Sequence, residues 1–342
     1  MVTLSDVAKQ AGVSPSTVSR VVNHSGFVSK DVADRVRSAL VELDYRPNIV
    51  ARNFRSKTTM TIGVVVSDLT NLYFMDALRG VEEVLSSEGY LLLIASSNNE
   101  VAKELQYCAE FDRRRVDGII LASAGASGND LAQVFRERST IMLLDRIVDG
   151  AQFDCVLDNN NEGVRQVVQY LLSQGHKDLG VVSGPLQITA GGERVSAFEK
   201  FANQAGLQIP LEWSWVGDAF SMEFGYKAAT KFMRLAYKPS AVFCTNNALT
   251  AGFLLALAER DVRVPEDISV VSYGSLENGE LLATNITEIE QPARQIGRVA
   301  AHRLLRRIRG EDVPFEVVRV DPQLSLGNSV KFLKSVRDVQ PN

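Results

Sequence analysis

The rhythm of apolar residues changes at Ile62. From there on, short continuous apolar runs alternate with longer amphipathic stretches. The runs at 62–66 (IGVVV), 90–96 (YLLLIAS), 118–123 (GIILAS), 140–145 (TIMLLD) and 155–158 (CVLD) read as strands buried on both faces. Helical periodicity covers 73–88 and 100–114 between the first of them. A second series follows: helix 160–174, strand 179–184, helix 193–205, a strand near 213–217, helix 222–235, strand 241–245, helix 248–260 and strand 268–274. Helix 293–309 and short strands near 315–320 and 324–326 close the pattern. Repeated β-α units of this kind predict two doubly wound parallel sheets.

Before Ile62 the spacing is helical throughout. Val7, Ala8 and Ala11 share one face, as do Val18, Val21 and Val22, and Val32, Ala33, Val36, Ala39, Leu40 and Leu43 form a third stripe. Thr3 and Asp6 have the spacing of a capping arrangement. Gly12 suits the left-handed turn that ends the first helix. Ser14 and Pro15 suit the N-cap and first position of the second, and Ser29 is placed to cap the third. Ser16, Thr17, Ser19, Arg20 and Asn23 are left facing outward. This is the helix-turn-helix pattern, although a small helical hairpin without a DNA role has the same outline. In the segment that follows, YRPNIVARNFRSKTTMT, Pro47 ends the third helix. Residues 48–55 have room for about two turns, too short to be stable alone. With Val50 and Phe54 at i and i+4, and Arg52, Arg55 and Lys57 cationic, that segment would fold with help from DNA or a second copy of itself.

Charge sharpens this division. The chain of 342 residues carries a net charge of -4, but its first sixty residues hold nine Lys/Arg against five Asp/Glu, and the remainder 28 against 36. A basic head on an acidic body fits a nucleic-acid module joined to something else. Cys108, Cys155 and Cys244 are far apart and have no metal-like spacing, which implies reduced thiols and a cytoplasmic protein without a metal site. Asp6 and Lys9 lie where a secretory signal needs an apolar core, and no run is long enough to span a membrane. No G-x-G-x-x-G follows the first strand, and no P-loop, H-E-x-x-H or G-x-S-x-G occurs; His24, His176 and His302 are scattered. Neither catalytic residues nor a cofactor are expected.

The motifs DVAKQAGVSPSTVSRVVN, YRPNIVARNFRSKTTMTIGVVV, DLTNLYF, VDGIILAS, LLDR, GHKDLGVVSG, RVSAF, CTNNALTAG, RVPEDISVVSYG and IEQPARQIG together resemble the LacI/GalR family of bacterial transcription regulators, from about Thr3 to Gly327. The resemblance implies an all-α helix-turn-helix head, a hinge helix, and an α/β core similar to periplasmic sugar-binding proteins, built of two doubly wound parallel-sheet subdomains. It sets the head at 1–46, hinge and linker at 47–60, and the core at 61–330. Within the core, one subdomain takes about 61–158 and 289–321 and the other 159–288 and 322–330, leaving a tail at 331–342. The implied function is a repressor that binds a palindromic operator as a homodimer and responds to a small-molecule effector, a sugar or sugar derivative. A sugar-binding protein with an inactive head is the alternative.

The resemblance also assigns residues. Thr3, Ser14, Pro15, Ser16, Thr17, Ser19, Arg20 and Asn23 would meet DNA, as would Asn48, Ala51, Arg52, Phe54 and Arg55 of the hinge. Arg20 would be the main base reader, because arginine gives guanine two parallel hydrogen bonds. Thr17 and Ser19 would bond phosphates; for Ser19 a solvated helix surface is the other reading, and for Pro15 a helix starter. Tyr73, Phe74, Asp145, Arg146, Asp158, Arg194, Asn247 and Gly274 would form the effector site. Tyr73 and Phe74 could equally be core or interface aromatics, and Asp158 a cap for helix 160–174. Asn247 stands where the family usually has aspartate, and Gly274 and Ser275 replace acidic residues. A cleft short of carboxylates that keeps Arg146 and Arg194 would favour an anionic sugar derivative.

Phe54 stands where the family usually has leucine, whose paired copies wedge into the minor groove. Phenylalanine is a larger apolar wedge and can still unstack a base step; packing against the core or a symmetry mate is the other reading. Phe54→Ala is expected to weaken operator binding and reduce DNA bending. Unchanged affinity and bend angle in a gel-shift assay would contradict the wedge.

Overall fold

The computed structural model describes residues 2–22, 25–45, 58–135, 140–150, 152–279, 283–311 and 314–333. Contacts divide the chain into two compact units, Met1–Thr59 and Met60–Asn342. The expected hinge at 48–55 and Asn23 lie outside the described residues.

In the first unit, α1 spans Leu4–Ala11, α2 Pro15–Val22 and α3 Lys30–Glu42. Asp6 N donates to Thr3 Oγ1 at 3.3 Å and Thr3 N donates to Asp6 Oδ2 at 2.8 Å, a full capping box. Gly12, at φ +66°, ends α1. Ser14 Oγ accepts from Thr17 N at 3.2 Å and so caps α2. Ser29 sits at the N-cap of α3 but makes no side-chain cap bond, contrary to its expected role. Small side chains, Val7, Ala8, Ala11, Val18, Val21, Val36 and Ala39, form the core, so the three helices pack closely.

The second unit contains two six-stranded sheets. The first has the order β11-β5-β4-β3-β1-β2, with β1 at Thr61–Val66, β2 at Leu91–Ser96, β3 at Gly118–Leu121, β4 at Ile141–Leu144, β5 at Asp154–Asp158 and β11 at Val317–Val320. Its ladders are all parallel. The second has the order β12-β10-β9-β8-β6-β7, with β6 at Leu179–Ser183, β7 at Ser214–Val216, β8 at Ala241–Cys244, β9 at Ser269–Tyr273, β10 at Thr287–Glu290 and β12 at Gln323–Ser325. Only β12 is antiparallel to its neighbour. The helices are α4 (Leu72–Ser87), α5 (Val101–Arg113), α6 (Gly128–Val134), α7 (Asn160–Ser173), α8 (Thr189–Gln204), α9 (Met222–Arg234), α10 (Asn247–Ala258) and α11 (Ala293–Ile308).

Each half packs one pair of helices at backbone contact. A Cβ at Gly80 of α4 would run into the carbonyl of Arg294 in α11, and one at Gly297 into that of Ala77; Gly225 and Gly252 do the same for α9 and α10. The chain passes between the halves three times: from β5 to α7, from β10 to α11, and from β11 to β12. Those passages bring the carboxyl ends of both sets of strands to one place, where α/β proteins bind ligands.

Three elements depart from the sequence pattern. α6 is only seven residues long, and its signal was a capping box, Ser127 with Asp130. β10 is four residues of Thr-Glu-Ile-Glu, too short for periodicity to mark. α8 starts at Thr189, four residues before the expected 193, because Gly191 and Gly192, poor helix formers, sit where side chains would strike the carbonyls of Pro185 and Leu186. Among the described residues no helix is long and apolar enough to cross a membrane, and no cluster of His, Cys, Asp and Glu could hold a metal ion. The three cysteines are free and buried, and burial pushes their thiols up to about 12, so they are inert packing residues.

Candidate effector cleft and DNA-facing surface

The loops leaving β1, β4, β6, β7 and β8 enclose a cavity of about 460 Å³ between the two halves of the core, within the usual range for small-molecule sites. Asp68, Asn71, Tyr73, Phe74, Asn99, Asp145 and Arg146 line it from the first half, Arg194, Asp218, Phe220, Ser221 and Asn246 from the second, and Gln291 from the β10–α11 passage. Many are strand-to-helix residues: Asn71, Ser221 and Asn246 are the N-caps of α4, α9 and α10.

Asp145 and Arg146 reach the cavity through an unusual turn. Arg146 N donates to Leu144 O at 2.8 Å, and Asp145 between them has φ +67°. A non-glycine residue there is strained, and such strain gathers at functional sites. The Arg146 guanidinium donates through Nη1 to Ser123 O at 2.6 Å and lies 3.6 Å from Asp145 through Nε. Ser123 is in turn fixed by buried Glu104, which accepts from its hydroxyl and from Ala124 N.

Arg194 has more partners than its sequence surroundings imply. Nε donates to Asn160 Oδ1 at 2.8 Å, Nη1 to Thr245 O at 2.7 Å, and Nη2 lies 3.9 Å from Asp158 Oδ2. Its guanidinium stacks 3.6 Å above the Tyr273 ring, a cation–π contact shielded from water.

Three expected residues do not line the cavity. Asp158, at the end of β5, accepts on Oδ2 from Tyr273 Oη and Gln291 Nε2, both at 3.0 Å. Asn159, not Asp158, caps α7. Asn247 faces away and donates to Ser275 O at 3.2 Å, leaving its neighbour Asn246 on the wall. Gly274, at φ +87°, lies beneath Gln291, where a Cβ would crowd Oε1. Tyr73 and Phe74 pack edge to face at 5.2 Å. The premise of a carboxylate-poor cleft fails, because Asp68, Asp145 and Asp218 line it against Arg146 and Arg194. Asn71, Ser221 and Asn246 could have been found as helix caps, whereas Asp68, Asn99 and Asp218 sit in the loops after β1, β2 and β7.

Several buried polar atoms around this cavity have no hydrogen-bond partner: Ser67 Oγ, Tyr73 Oη, Arg146 Nε and Asp158 Oδ1. Asp145 faces the Tyr73 hydroxyl without geometry that satisfies it. Burial raises the Tyr73 hydroxyl well above its usual range, with Asp145 and Asp158 adding to the effect, and burial also raises Asp145. Unpaired buried groups are costly, and their concentration at one cavity points to a polar ligand there.

On the first unit, Ser14, Pro15, Ser16 and Arg20 are exposed on α2 and the turn before it, with Thr17 and Ser19 half-buried. Ser14 Oγ lies 2.7 Å from Ser16 Oγ and 2.8 Å from Thr17 Oγ1. Thr3 is engaged by Asp6.

Comparison with known proteins places this arrangement. A family profile described as bacterial regulatory proteins of the lacI family matches residues 3–48, and one described as periplasmic binding proteins and sugar binding domain of the LacI family matches 59–332. The chain belongs to the LacI family. It is 32% identical over 335 residues to the HTH-type transcriptional repressor PurR of Vibrio campbellii, covering 97% of this chain and 100% of that protein. The lac repressor dimer bound to operator and an anti-inducer matches with a TM-score of 0.85 at 25% identity, over 96% of this chain and 99% of that one. The transcriptional regulator CelR with cellobiose matches at 0.72 and 28%, over 96% and 100%. This LacI-family protein is thus a DNA-binding repressor regulated by a ligand in its core, not an enzyme.

At the seam of the repressor core, burial raises Asp158 to about 6, against the opposing pull of Arg194, Gln291 and Tyr273. The folded state therefore holds this proton to higher pH than the unfolded chain, so ionisation costs stability as pH rises from about 4 to 6. At about 1.4 kcal/mol per pH unit this is on the order of 3 kcal/mol. Thermal melts across that range should show wild type losing stability relative to Asp158→Asn as pH rises. A pH-independent difference would contradict the assignment.

Proposed function

We propose that this repressor binds a palindromic operator as a homodimer, with residues 1–46 as the reading head and 47–60 as the hinge, and that a neutral polyhydroxyl ligand in the 61–330 core controls it. The observation that carries the effector reading is the cavity itself, with buried hydroxyls and one guanidinium Nε that lack hydrogen-bond partners beside paired charges. Arg146 and Arg194 each already hold a carbonyl oxygen and lie within 4 Å of a carboxylate. Three aspartates on the wall would repel a phosphate or carboxylate. Mixed donors and acceptors with Tyr73, Phe74 and Phe220 suit a sugar, whose hydroxyls both donate and accept and whose ring has an apolar face. The cellobiose bound to CelR is a ligand of that chemistry. Asp145, Arg146, Arg194, Tyr73 and Phe74 then contact the ligand, while Asp158, Asn247 and Gly274 support the wall from behind.

On the DNA side, Arg20 reads a base edge and Thr3, Ser14, Ser16, Thr17 and Ser19 anchor to the phosphates, with Pro15 opening the reading helix. Asn23, Asn48, Ala51, Arg52, Phe54 and Arg55 complete the contact. Two heads about one helical turn apart match a palindrome.

Two measurements test these assignments. Calorimetry with a panel of neutral mono- and disaccharides and their phosphates should find binding among the neutral members, with the matching phosphate at least tenfold weaker; binding confined to phosphates or sugar acids would overturn the effector class. For Arg20→Ala, operator affinity should fall by roughly 1–3 kcal/mol, while affinity for unrelated DNA at the same salt changes little. An equal loss on both DNAs would make Arg20 a phosphate contact.

A further inference from the structure

One polar chain crosses the seam of the core and ends on the cleft wall. Arg319, on β11 of the first sheet, places Nη1 2.8 Å from Glu193 Oε2 and Nη2 2.6 Å from Oε1. Glu193 belongs to α8 of the other half, so this is a two-pronged ion pair between the halves. The same Oε2 accepts from Asn160 Nδ2 at 2.8 Å. Asn160 is 1% exposed and opens α7. Its Oδ1 accepts from Arg194 Nε at 2.8 Å, and Arg194 lines the cavity.

The order of these groups matters. An ionised glutamate only accepts, so it draws the NH2 of Asn160 toward itself and turns the amide oxygen to Arg194. Burial would raise the Glu193 carboxyl, but the hydrogen bonds from Arg319 and Asn160 outweigh it and hold the group below its ordinary value. It is therefore ionised throughout the neutral range. Arg319 is the cation that keeps a half-buried carboxylate in this place; planar guanidinium and carboxylate match in two parallel bonds. Glu193 and Arg194 are consecutive on one helix, so one side chain faces the seam while the other faces the ligand.

We propose that Glu193, held by Arg319, is a positioning residue for effector recognition: it sets the orientation of Asn160 and thereby fixes the Arg194 guanidinium at the cleft. The proposal rests on reading the cavity as the effector site. It adds that the ligand-facing arginine of one half is tied to the edge strand of the other. A ligand that draws on Arg194 therefore acts on a contact spanning both halves, and this is the kind of two-sided contact through which a cleft biases a hinge.

The test uses the full-length protein and a readout that needs no ligand. The Arg194 side-chain Nε–H, assigned by its loss in Arg194→Lys, is followed by hydrogen exchange in nitrogen-15 spectra. In Glu193→Gln and in Arg319→Met it should exchange at least tenfold faster, with backbone amide protection in α7 and β6 unchanged. Wild-type exchange in both variants overturns the proposal. So does an equal loss of protection throughout the second half, which would make Glu193 a support of the fold alone. With a neutral sugar that binds wild type, Glu193→Gln should weaken binding about tenfold, and should add nothing in the Arg194→Lys background; additive losses also overturn it. If no neutral sugar binds wild type, the effector reading fails by itself, while the exchange experiment still decides the role of Glu193.

Discussion

A buried carboxylate shared between the two halves of the core sets the geometry on which the cleft depends. Asp158 closes β5 of the first sheet, yet the groups donating to it are Tyr273 of the second sheet and Gln291 of the second passage between halves. Arg194 stacks on the same tyrosine. An ionised group so deeply buried is tolerable only where charge and hydrogen bonds converge on it, and here those partners are supplied by elements that must meet for the cleft to exist. Asp158 is thus less a wall residue than the point to which the wall is referenced.

The three passages of the chain explain why the site lies where it does. Apart from antiparallel β12, the strands of both sheets run toward the same gap, and the helices that follow them begin there. Polar caps and strand ends, which must be hydrogen-bonded in any case, become the lining. Capping needs only part of each group: Asn71, Ser221 and Asn246 secure their helices and still border the cavity. Function is added at strained or over-furnished points, such as Asp145 at positive φ beside Arg146.

Much of this architecture is legible in the amino-acid order. Continuous apolar runs such as IGVVV and AVFC announce buried parallel strands because both faces are covered. Thr3, Gly12 and Pro15 announce the first two helices because caps are local chemistry. Illegible parts have equally physical causes. β10 is too short for its period to be read, and α8 begins among glycines that only tertiary crowding justifies. Asn246 and Asn247 cannot be told apart by type; only the cap geometry turns one to the cleft. The pairing of Glu193 with Arg319 joins residues 126 apart in the chain. The charge character of the cleft is not legible from Asn247 and Gly274, because Asp68 and Asp218 reach it from loops that carry no distinguishing pattern.

Coupling between cleft and operator is the claim on which the repressor's mechanism turns. Linkage requires that the factor by which an effector changes operator affinity equal the factor by which operator DNA changes effector affinity. Both can be measured on the full-length protein with one neutral sugar: operator Kd with and without saturating sugar, and sugar Kd with and without saturating operator. Equal factors, roughly 5–150-fold, are expected. A sugar that binds the core while leaving operator affinity unchanged would contradict the coupling.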